Sequence, residues 1–234
     1  MLDKLGFGII LTPDNRSKAY IQKLLSSHIF PDVIVFMNNN IPEKTYSDEI
    51  IEISRKNGFD ISKSVKNVLN ENNFTYTEFD FVDINHPELI NFIKKNREEY
   101  YIFTGGGILK NEILNLDVKF VHLHPGLVPK YRGSTCFYYS IVNEGSAGVT
   151  AFIMDKGLDT GDIVYQKIFE KPRHKFLDEI YDPYIRSETL VDVISQNLLN
   201  KQNFKKQNSR EGETYFIIHP VLKHIAILSC ITND

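Results

Sequence analysis

The sequence KFVHLHPG, residues 119–126, joins a buried-strand pattern to a cluster of functional side chains. Its short apolar run predicts a strand, and the run ends in His122, His124 and a Pro-Gly turn. The sequence YYIFTGGG, residues 100–107, has the same form, with a buried run followed by a threonine and three glycines. In open α/β sheets, ligands bind outside the carboxyl ends of the strands. Both clusters are therefore expected at one ligand-binding edge of a sheet.

Short β-rich runs alternate with longer amphipathic runs along the rest of the chain. Further strands are predicted at 6–11, 32–37, 74–81, 148–154 and 162–168, and helices near 14–25, at 47–57, 60–69, from 87 onward and at 187–199. This order is typical of an α/β fold with a mostly parallel sheet and helices on both faces. After residue 170 the regular alternation of strand and helix patterns gives way to a proline turn, one helix, a polar basic stretch and an apolar end. We therefore predict a main domain at 1–170 and a small C-terminal helical and β appendage at 171–234.

The composition favours a soluble globular protein. The chain has 234 residues, of which 42% are hydrophobic, which is enough to form a core. With 27 Lys and Arg against 30 Asp and Glu, the net charge of −3 gives no general attraction to nucleic acid or membranes. Two cysteines are too few for a disulfide scaffold, and neither a signal peptide nor a membrane span is recognised. We expect a cytoplasmic protein without nucleic-acid or membrane partners.

Two histidines and one aspartate are the candidates for catalysis. His122 and His124 are two residues apart, so a strand places both side chains on one face. Asp159 lies in a glycine-flanked loop expected at the same sheet edge, where a carboxylate can orient a histidine and stabilise its protonated form. Each also has a plain structural interpretation, as a half-buried histidine or as a turn residue. The three glycines lack the spacing of dinucleotide-binding and P-loop motifs.

Three separate motifs, HPGLVPKYRG at 124–133, GVT at 148–150 and GLDTGDI at 157–163, resemble those of formyltransferases that use 10-formyltetrahydrofolate. Their order and spacing match over residues 7–170. The resemblance implies a Rossmann-like formyltransferase fold with its catalytic domain at 1–170, and His124 and Asp159 as catalytic residues. His122 occupies the position of a family asparagine that helps hold the formyl oxygen, and Gly126 occupies that of a loop serine.

The resemblance also implies what the site binds. 10-Formyltetrahydrofolate is the expected co-substrate, and no metal is expected. The residues predicted to bind the folate are Thr104, Gly105, Gly106, Gly107, Ile108, Leu127, Pro129 and Asp155. The residues predicted to bind the acceptor substrate are Arg16, Lys130, Tyr131 and Arg132. The cations of Arg16, Lys130 or Arg132 suit a diphosphate, and Tyr131 can stack or pack near the base or pterin.

Three features bear on the acceptor. The part after residue 170 is short beside the basic C-terminal domain of the methionyl-tRNA enzymes, and residues 11–17 lack the phosphate loop of the glycinamide ribonucleotide enzymes. The YRG form of the motif and YFIIHP at 215–220 resemble small enzymes that formylate nucleotide-linked amino sugars for surface polysaccharides, such as the O-antigen of lipopolysaccharide. A homodimer is compatible with this resemblance, which reaches no residue that would decide it.

The chemistry expected is acyl transfer. The acceptor amine attacks the formyl carbon, His122 and His124 stabilise the developing oxyanion, and Asp159 takes the amine proton directly or through water. Because His122 is titratable and asparagine is not, we expect a rate that varies between about pH 6 and 8. Three alternatives remain at this point: a metal-dependent hydrolase using His122, His124 and Asp159 as ligands, a formyltetrahydrofolate hydrolase, and a non-catalytic binding protein.

Overall fold

The computed structural model of the chain describes residues 6–40, 42–96, 98–208 and 210–231. The strands are β1 (Gly8–Leu11), β2 (Val33–Met37), β3 (Thr77–Phe79), β4 (Tyr100–Phe103), β5 (Lys119–His124), β6 (Tyr131–Gly133), β7 (Ser146–Ile153), β8 (Ile163–Glu170) and β9 (Glu213–Tyr215). The helices are α1 (Asn15–Ser26), α2 (Asp48–Lys56), α3 (Val65–Glu71), α4 (Pro87–Lys95), α5 (Asn111–Leu114), α6 (Cys136–Glu144), α7 (Asp182–Ser195) and α8 (Pro220–Ile231). A π-helical turn, Leu177–Tyr181, leads into α7.

The centre of the fold is a seven-stranded sheet in the order β3-β2-β1-β4-β5-β7-β8. The first five strands in this order are parallel, whereas β7 pairs antiparallel with both β5 and β8. A separate two-stranded sheet joins β6 to β9 in parallel. The predicted α/β architecture with a mostly parallel sheet is confirmed.

The sheet separates two hydrophobic layers. On one face, Leu11 and Leu123 pack with residues of α1 and α7, including Tyr20 and Leu190. On the other face, strand residues such as Ile10, Val35 and Tyr101 pack with α4 and α5 through Leu89, Ile93 and Ile113. Both layers consist of fully buried aliphatic and aromatic side chains, so the strands read as continuous apolar runs.

The segment after residue 170 shares the first of these layers. Leu190 and Val193 of α7 and Ala226 and Cys230 of α8 belong to the same buried cluster as the sheet residues. The division at residue 170 stays a prediction, and its outer limits at residues 1 and 234 lie outside the described residues. No helix within the described ranges combines the length and the apolar character that a membrane crossing requires.

Several predicted elements differ from the observed ones at their ends. The helix predicted at 60–69 begins only at Val65, because Ser64 caps it by accepting a hydrogen bond from the Asn67 N–H. The helix predicted at 187–199 begins earlier, at Asp182, after the π-helical turn. The strand predicted at 74–81 is only Thr77–Phe79. Helix α6 was not predicted because its aromatic and β-branched residues have low helix propensity.

Candidate active site

The carboxyl end of β5 places the two histidines on one face of the sheet. Their ring centroids lie 6.4 Å apart. Phe152 of β7 pairs with His122 in the strand register and lies beside both imidazoles, 5.8 Å from the ring of His122 and 6.3 Å from that of His124. Phe103 of β4 lies 5.9 Å from His122 on its other side. Strand β5 therefore places both histidine side chains on one face of the sheet, as predicted.

A cavity of about 490 Å³ opens at this sheet edge. Six of the predicted folate residues line it, namely Thr104, Gly105, Gly106, Gly107, Ile108 and Asp155. His122 and Asp159 also line it, together with Arg16 and the apolar side chains of Phe103, Leu109, Phe152, Met154 and Leu158. His124 does not line the cavity and is only 2% exposed, so it lies behind Asp159. The site thus presents the imidazole of His122, the carboxylates of Asp155 and Asp159, the guanidinium of Arg16 and the ammonium of Lys156 beside these apolar side chains.

The glycine loop after β4 needs its glycines. Gly106 and Gly107 have φ values of +115° and +103°, which side chains rarely adopt. A Cβ at Gly106 would also stand 2.7 Å from the Cε atom of Met37. Thr104 fixes the start of the loop, since its hydroxyl donates to the Ile10 carbonyl at 2.9 Å and accepts from Ser17 at 2.8 Å. This loop forms one wall of the cavity with its main chain.

The loop that carries Asp159 is held from two sides. Asp155 accepts hydrogen bonds from the Gly157 N–H at 2.9 Å and the Thr160 hydroxyl at 2.8 Å. The amide of Gln207 donates to the Asp159 carbonyl at 3.0 Å and to the Gly161 carbonyl at 2.6 Å. Asp159 itself has a φ of +53°, a left-handed conformation that aspartate tolerates better than most residues.

The His124 ring and the Asp159 carboxylate form a direct contact. His124 Nδ1 lies 3.4 Å from Asp159 Oδ2, which also accepts the Gly133 N–H at 2.7 Å. His124 Nε2 lies 3.0 Å from the Tyr131 carbonyl. Because a carbonyl only accepts, the hydrogen is on Nε2, and Nδ1 of the neutral ring is open toward Asp159. Burial lowers the pKa of His124, with Arg186 adding to that effect and Asp159 opposing it.

His122 is a neutral imidazole in this site. Burial, followed by the charge of Arg186, holds the pKa of His122 well below the ordinary value of 6.5, and His124 and Arg16 act in the same direction. Its Nδ1 is shielded from solvent and no described residue completes a hydrogen bond with it, although the Phe103 main chain weakly favours the protonated ring. Nε2 is then the nitrogen available to a ligand. The expected pH dependence due to His122 therefore moves to below pH 6.5.

The other predicted binding residues lie away from the cavity wall. Lys130 and Tyr131 both contact Glu144, at 2.5 and 2.7 Å, and Arg132 is buried with Nη2 donating to the Glu211 carbonyl at 3.0 Å. Leu127 packs against Gly148, where a Cβ would stand 2.4 Å from its Cγ. Pro129 does not line the cavity either. Their roles in substrate or folate binding stay predictions.

Sequence reasoning missed three polar residues that build the site. Thr150 fastens the loop after β5, since its hydroxyl donates to the Gly126 carbonyl at 2.7 Å and accepts from the Val128 N–H at 3.2 Å. Gln207 holds the Asp159 loop, and Arg186 of α7 reaches the strand that carries the histidines. The sequence offered a signal for Arg186, which follows Asp182 at the i,i+4 spacing of a helical ion pair, and for Thr150, the last residue of the GVT motif at 148–150.

Metal binding has little basis in this geometry. In the part of the chain that the structure describes, no three or more His, Cys, Asp and Glu side chains are grouped so that they could hold a metal ion. His122, His124 and Asp159 therefore do not form the ligand set that the metal-dependent hydrolase alternative requires.

The sequence profile of the formyl transferase family matches residues 31–191, which run from the second strand into α7. This is well over half of the chain, and the chain belongs to that family. The match includes both histidines, Asp159 and the glycine loop.

Known relatives divide into two groups. The chain is 31% identical over 146 residues to the methionyl-tRNA formyltransferase of Caldanaerobacter subterraneus, an alignment that covers 60% of this chain and 47% of that protein. It is 43% identical over 83 residues to the methionyl-tRNA formyltransferase of Thermodesulfovibrio yellowstonii, covering 33% of this chain and 27% of that protein. The alignments span about half of the length of the Caldanaerobacter protein and about a quarter of the length of the Thermodesulfovibrio protein.

The second group consists of solved structures. An N-formyltransferase from Helicobacter canadensis, in complex with folinic acid and dTDP-3-aminofucose, superimposes with a TM-score of 0.60 at 20% identity over 97% of this chain and 81% of that one. A sugar N-formyltransferase from a Shewanella species gives a TM-score of 0.56 at 18% identity over 97% of this chain and 88% of that one. At these identities the similarity establishes the formyltransferase fold.

Proposed function

We propose that the chain transfers a formyl group from 10-formyltetrahydrofolate to the amine of a nucleotide-linked amino sugar. The observation that carries this proposal is the contact of Asp159 with His124, 3.4 Å apart, at the wall of a cavity that also holds the His122 imidazole. The reaction would belong to the synthesis of surface polysaccharides such as O-antigen. Its setting would be the cytoplasm, since both cysteines are free.

The cavity suits a folate. Its apolar side chains, including Phe103, Phe152 and Met154, offer contact to a flat ring, while the glycine loop offers main-chain hydrogen-bonding groups. Ile108 and Leu158 are 86% and 58% exposed on opposite loops at the mouth, where a bound ring would cover them. Bound 10-formyltetrahydrofolate supplies the electrophilic formyl carbon.

The side chains can manage both the charge and the proton of the transfer. When the amine attacks, negative charge develops on the formyl oxygen, and His122, which lines the cavity, would donate a ring N–H to it. The amine loses a proton, which Asp159 accepts at the cavity wall and shares with the open Nδ1 of His124. The new C–N bond forms at the acceptor, the bond from the formyl carbon to the folate nitrogen breaks, and the proton returns to that leaving nitrogen.

Two acceptor classes have support. Arg16 lines the cavity and is a suitable contact for a diphosphate, and the Helicobacter canadensis protein of the same fold holds a dTDP-linked amino sugar. The second class is methionyl-tRNA, which is favoured by the 31% identity to a methionyl-tRNA formyltransferase.

A homodimer is part of the proposal. It is supported by the exposed apolar residues Val221, Ile225 and Leu228 of α8, and light scattering tests it.

The deciding assay follows loss of 10-formyltetrahydrofolate by absorbance and product mass by mass spectrometry. The acceptors are a panel of dTDP- and UDP-linked amino sugars, charged methionyl-tRNA, and buffer without any amine. We expect a sugar product heavier by one formyl group, and far less of it with Asp159→Asn. The exposed Asp117→Asn is the matched control, with activity unchanged. Folate turnover that needs no amine would identify a formyltetrahydrofolate hydrolase instead, and formylated tRNA alone would identify the second acceptor class.

A further inference from the structure

Helix α7 carries a buried ion pair directly behind the strand of the two histidines. Arg186 Nε donates to Asp182 Oδ1 at 2.7 Å, and the two side chains are only 8% and 12% exposed. The free-energy cost of removing two charged groups from water can exceed the Coulombic attraction between them. A buried ion pair is therefore weak evidence for a role in stability. The pair therefore calls for another explanation.

The second contact of Arg186 is with the active-site strand. Its Nη1 donates to the carbonyl of Leu123, the residue between His122 and His124, at 2.6 Å. The Phe120 carbonyl accepts from Met154 on the β7 side, and carbonyls alternate along a strand, so the Leu123 carbonyl points toward β4. The register of β4 ends one residue earlier, where Phe103 pairs with His122. Arg186 thus satisfies an acceptor that has no strand partner, and it fixes the main chain between the two imidazoles.

The charged and titratable groups around this point come from four directions. Arg16 and Tyr20 face it from α1, His122 and His124 from β5, Cys136 from α6, and Asp159 from the loop between β7 and β8. Burial keeps Tyr20 and Cys136 neutral, since it raises the pKa of the cysteine to about 12 and that of the tyrosine still further. The positive charges that act on the imidazoles are Arg186 and Arg16, and the negative charges that act on His124 are Asp159 and Asp182. Asp14 lies beside Arg16, and Lys156 and Asp155 line the same cavity as His122.

We propose that Arg186, oriented by Asp182, is a positioning residue that fixes the main chain between His122 and His124 and places a fixed positive charge behind both imidazoles. The inference rests on the proposed function, in which Asp159 and His124 must accept a proton from the amine. A neutral His124 can accept that proton at Nδ1, whereas in an imidazolium Nδ1 already carries a hydrogen. The lowered pKa values of both histidines, to which the charge of Arg186 contributes, agree with this role.

Two substitutions on one helix are expected to move the same titration in opposite directions. Arg186→Met removes the positive charge, so the acid limb of the kcat/KM profile moves up by about one pH unit, a tenfold change in proton affinity. Asp182→Asn leaves Arg186 unneutralised, so the limb moves down. Arg186→Lys keeps the charge but loses the forked geometry, so the limb stays within about 0.3 unit while kcat falls. A purely structural pair would lower kcat or stability in all three variants without moving the limb.

Arg186→Met leaves Asp182 buried without its partner, which endangers folding. The double variant Asp182→Asn/Arg186→Met avoids this, and it is expected to move the limb upward by a smaller amount because Arg186 affects the histidines more than Asp182 does. An unmoved limb in a folded double variant would overturn the proposal.

An NMR titration of the histidine ring protons separates this inference from the proposed function, because it needs no substrate. The resonances of His122 and His124 are assigned with His122→Asn and His124→Asn. Upward shifts of both titrations in the double variant support the role of Arg186 even if the protein transfers no formyl group. Titrations that coincide with those of the unmodified protein would overturn it even if formyl transfer is found.

Discussion

His124 Nδ1 lies 3.4 Å from Asp159 Oδ2, and the main chain around β6 holds each partner from its other side. The Tyr131 carbonyl accepts from the His124 ring, and the Gly133 N–H donates to Asp159. One three-residue strand therefore fixes both the tautomer of the imidazole and the orientation of the carboxylate. Of these two residues, Asp159 lines the cavity and His124 does not. In the proposed function Asp159 would therefore meet the substrate, and His124 would act through it.

Loss of either member of this pair is expected to slow the reaction strongly. His124→Asn and Asp159→Asn each remove a proton acceptor while nearly preserving shape, and kcat should fall on the order of 10² to 10⁴-fold. Steady-state kinetics with circular dichroism as a fold check measures this. His224→Asn, at an exposed position of α8, is the matched control. Near-full activity of either active-site variant would show that its residue has been assigned wrongly.

Replacing His122 by the family's asparagine is expected to preserve transfer. Both side chains can donate an N–H, so His122→Asn should stay within about tenfold in kcat, whereas His122→Ala should lose on the order of 10². Because the pKa of His122 lies well below 6.5, the profiles of the unmodified protein and His122→Asn should run parallel above that pH and separate below it. Equal losses in the asparagine and alanine variants would show that no N–H at this position is used.

The same pKa shift predicts a pH dependence of stability. The unfolded state binds a proton at His122 near pH 6.5, but the folded state does so only at much lower pH. The stability due to the neutral ring is therefore complete above pH 6.5 and is lost as the pH falls toward the folded-state pKa. Urea unfolding at pH 7.5 and 5.0 should show a smaller acid-induced loss for His122→Asn than for the unmodified protein. An equal loss in both would place the acid sensitivity elsewhere.

Gly126 is expected to be intolerant of any side chain. A Cβ there would stand 2.7 Å from His124 Nε2 and 2.8 Å from the Tyr131 carbonyl, so it would disturb the hydrogen bond between them. Gly126→Ala should lower kcat at least tenfold and destabilise the protein by about 1 to 3 kcal/mol. Gly145→Ala is the control, because Gly145 has a φ of +68° but no atom within 4 Å of the new Cβ. It should lower the melting temperature without changing kcat, and a similar loss of kcat would point to a general stability effect.

Gln207 is expected to matter through the loop that it holds. Its amide bonds the carbonyls of Asp159 and Gly161, so Gln207→Ala should loosen the loop and lower kcat by about tenfold. Hydrogen exchange of residues 155–161 should rise in parallel. The exposed Lys201→Ala serves as the comparison, and a kcat that falls without faster exchange would contradict this account.

The sequence predicted the elements whose pattern is local. The strand at Tyr100–Phe103 was predicted with its observed ends, and the residues after β4 and β5 do meet at one cavity. His122 near the end of β5 and Asp159 in the loop after β7 both line this cavity, as their places near strand ends indicated. Strands β6 and β9 have three residues each, which is too short for a periodic pattern. They also lie far apart in sequence, so no local signal indicates that they pair.

The residues that sequence reasoning missed act over long distances. Arg186 reaches Leu123 across 63 positions, and Gln207 reaches the Asp159 carbonyl across 48. Nothing in the sequence near either residue marks its partner, because the contact exists only after α7 and the last segment have packed on the sheet. The resemblance predicted that Lys130 and Tyr131 contact the substrate; in the structure both contact Glu144 on the neighbouring helix, and their role in substrate binding stays a prediction.

The most direct test of the central claim uses 10-formyltetrahydrofolate labelled with carbon-13 in its formyl group. The protein is incubated with and without a dTDP-linked amino sugar, and the label is followed by carbon NMR. The account predicts that the label appears as the formamide of the sugar, only when the sugar is present, and in far smaller yield with Asp159→Asn. Label released as free formate at the same rate with and without sugar would contradict the account and show that water is the acceptor.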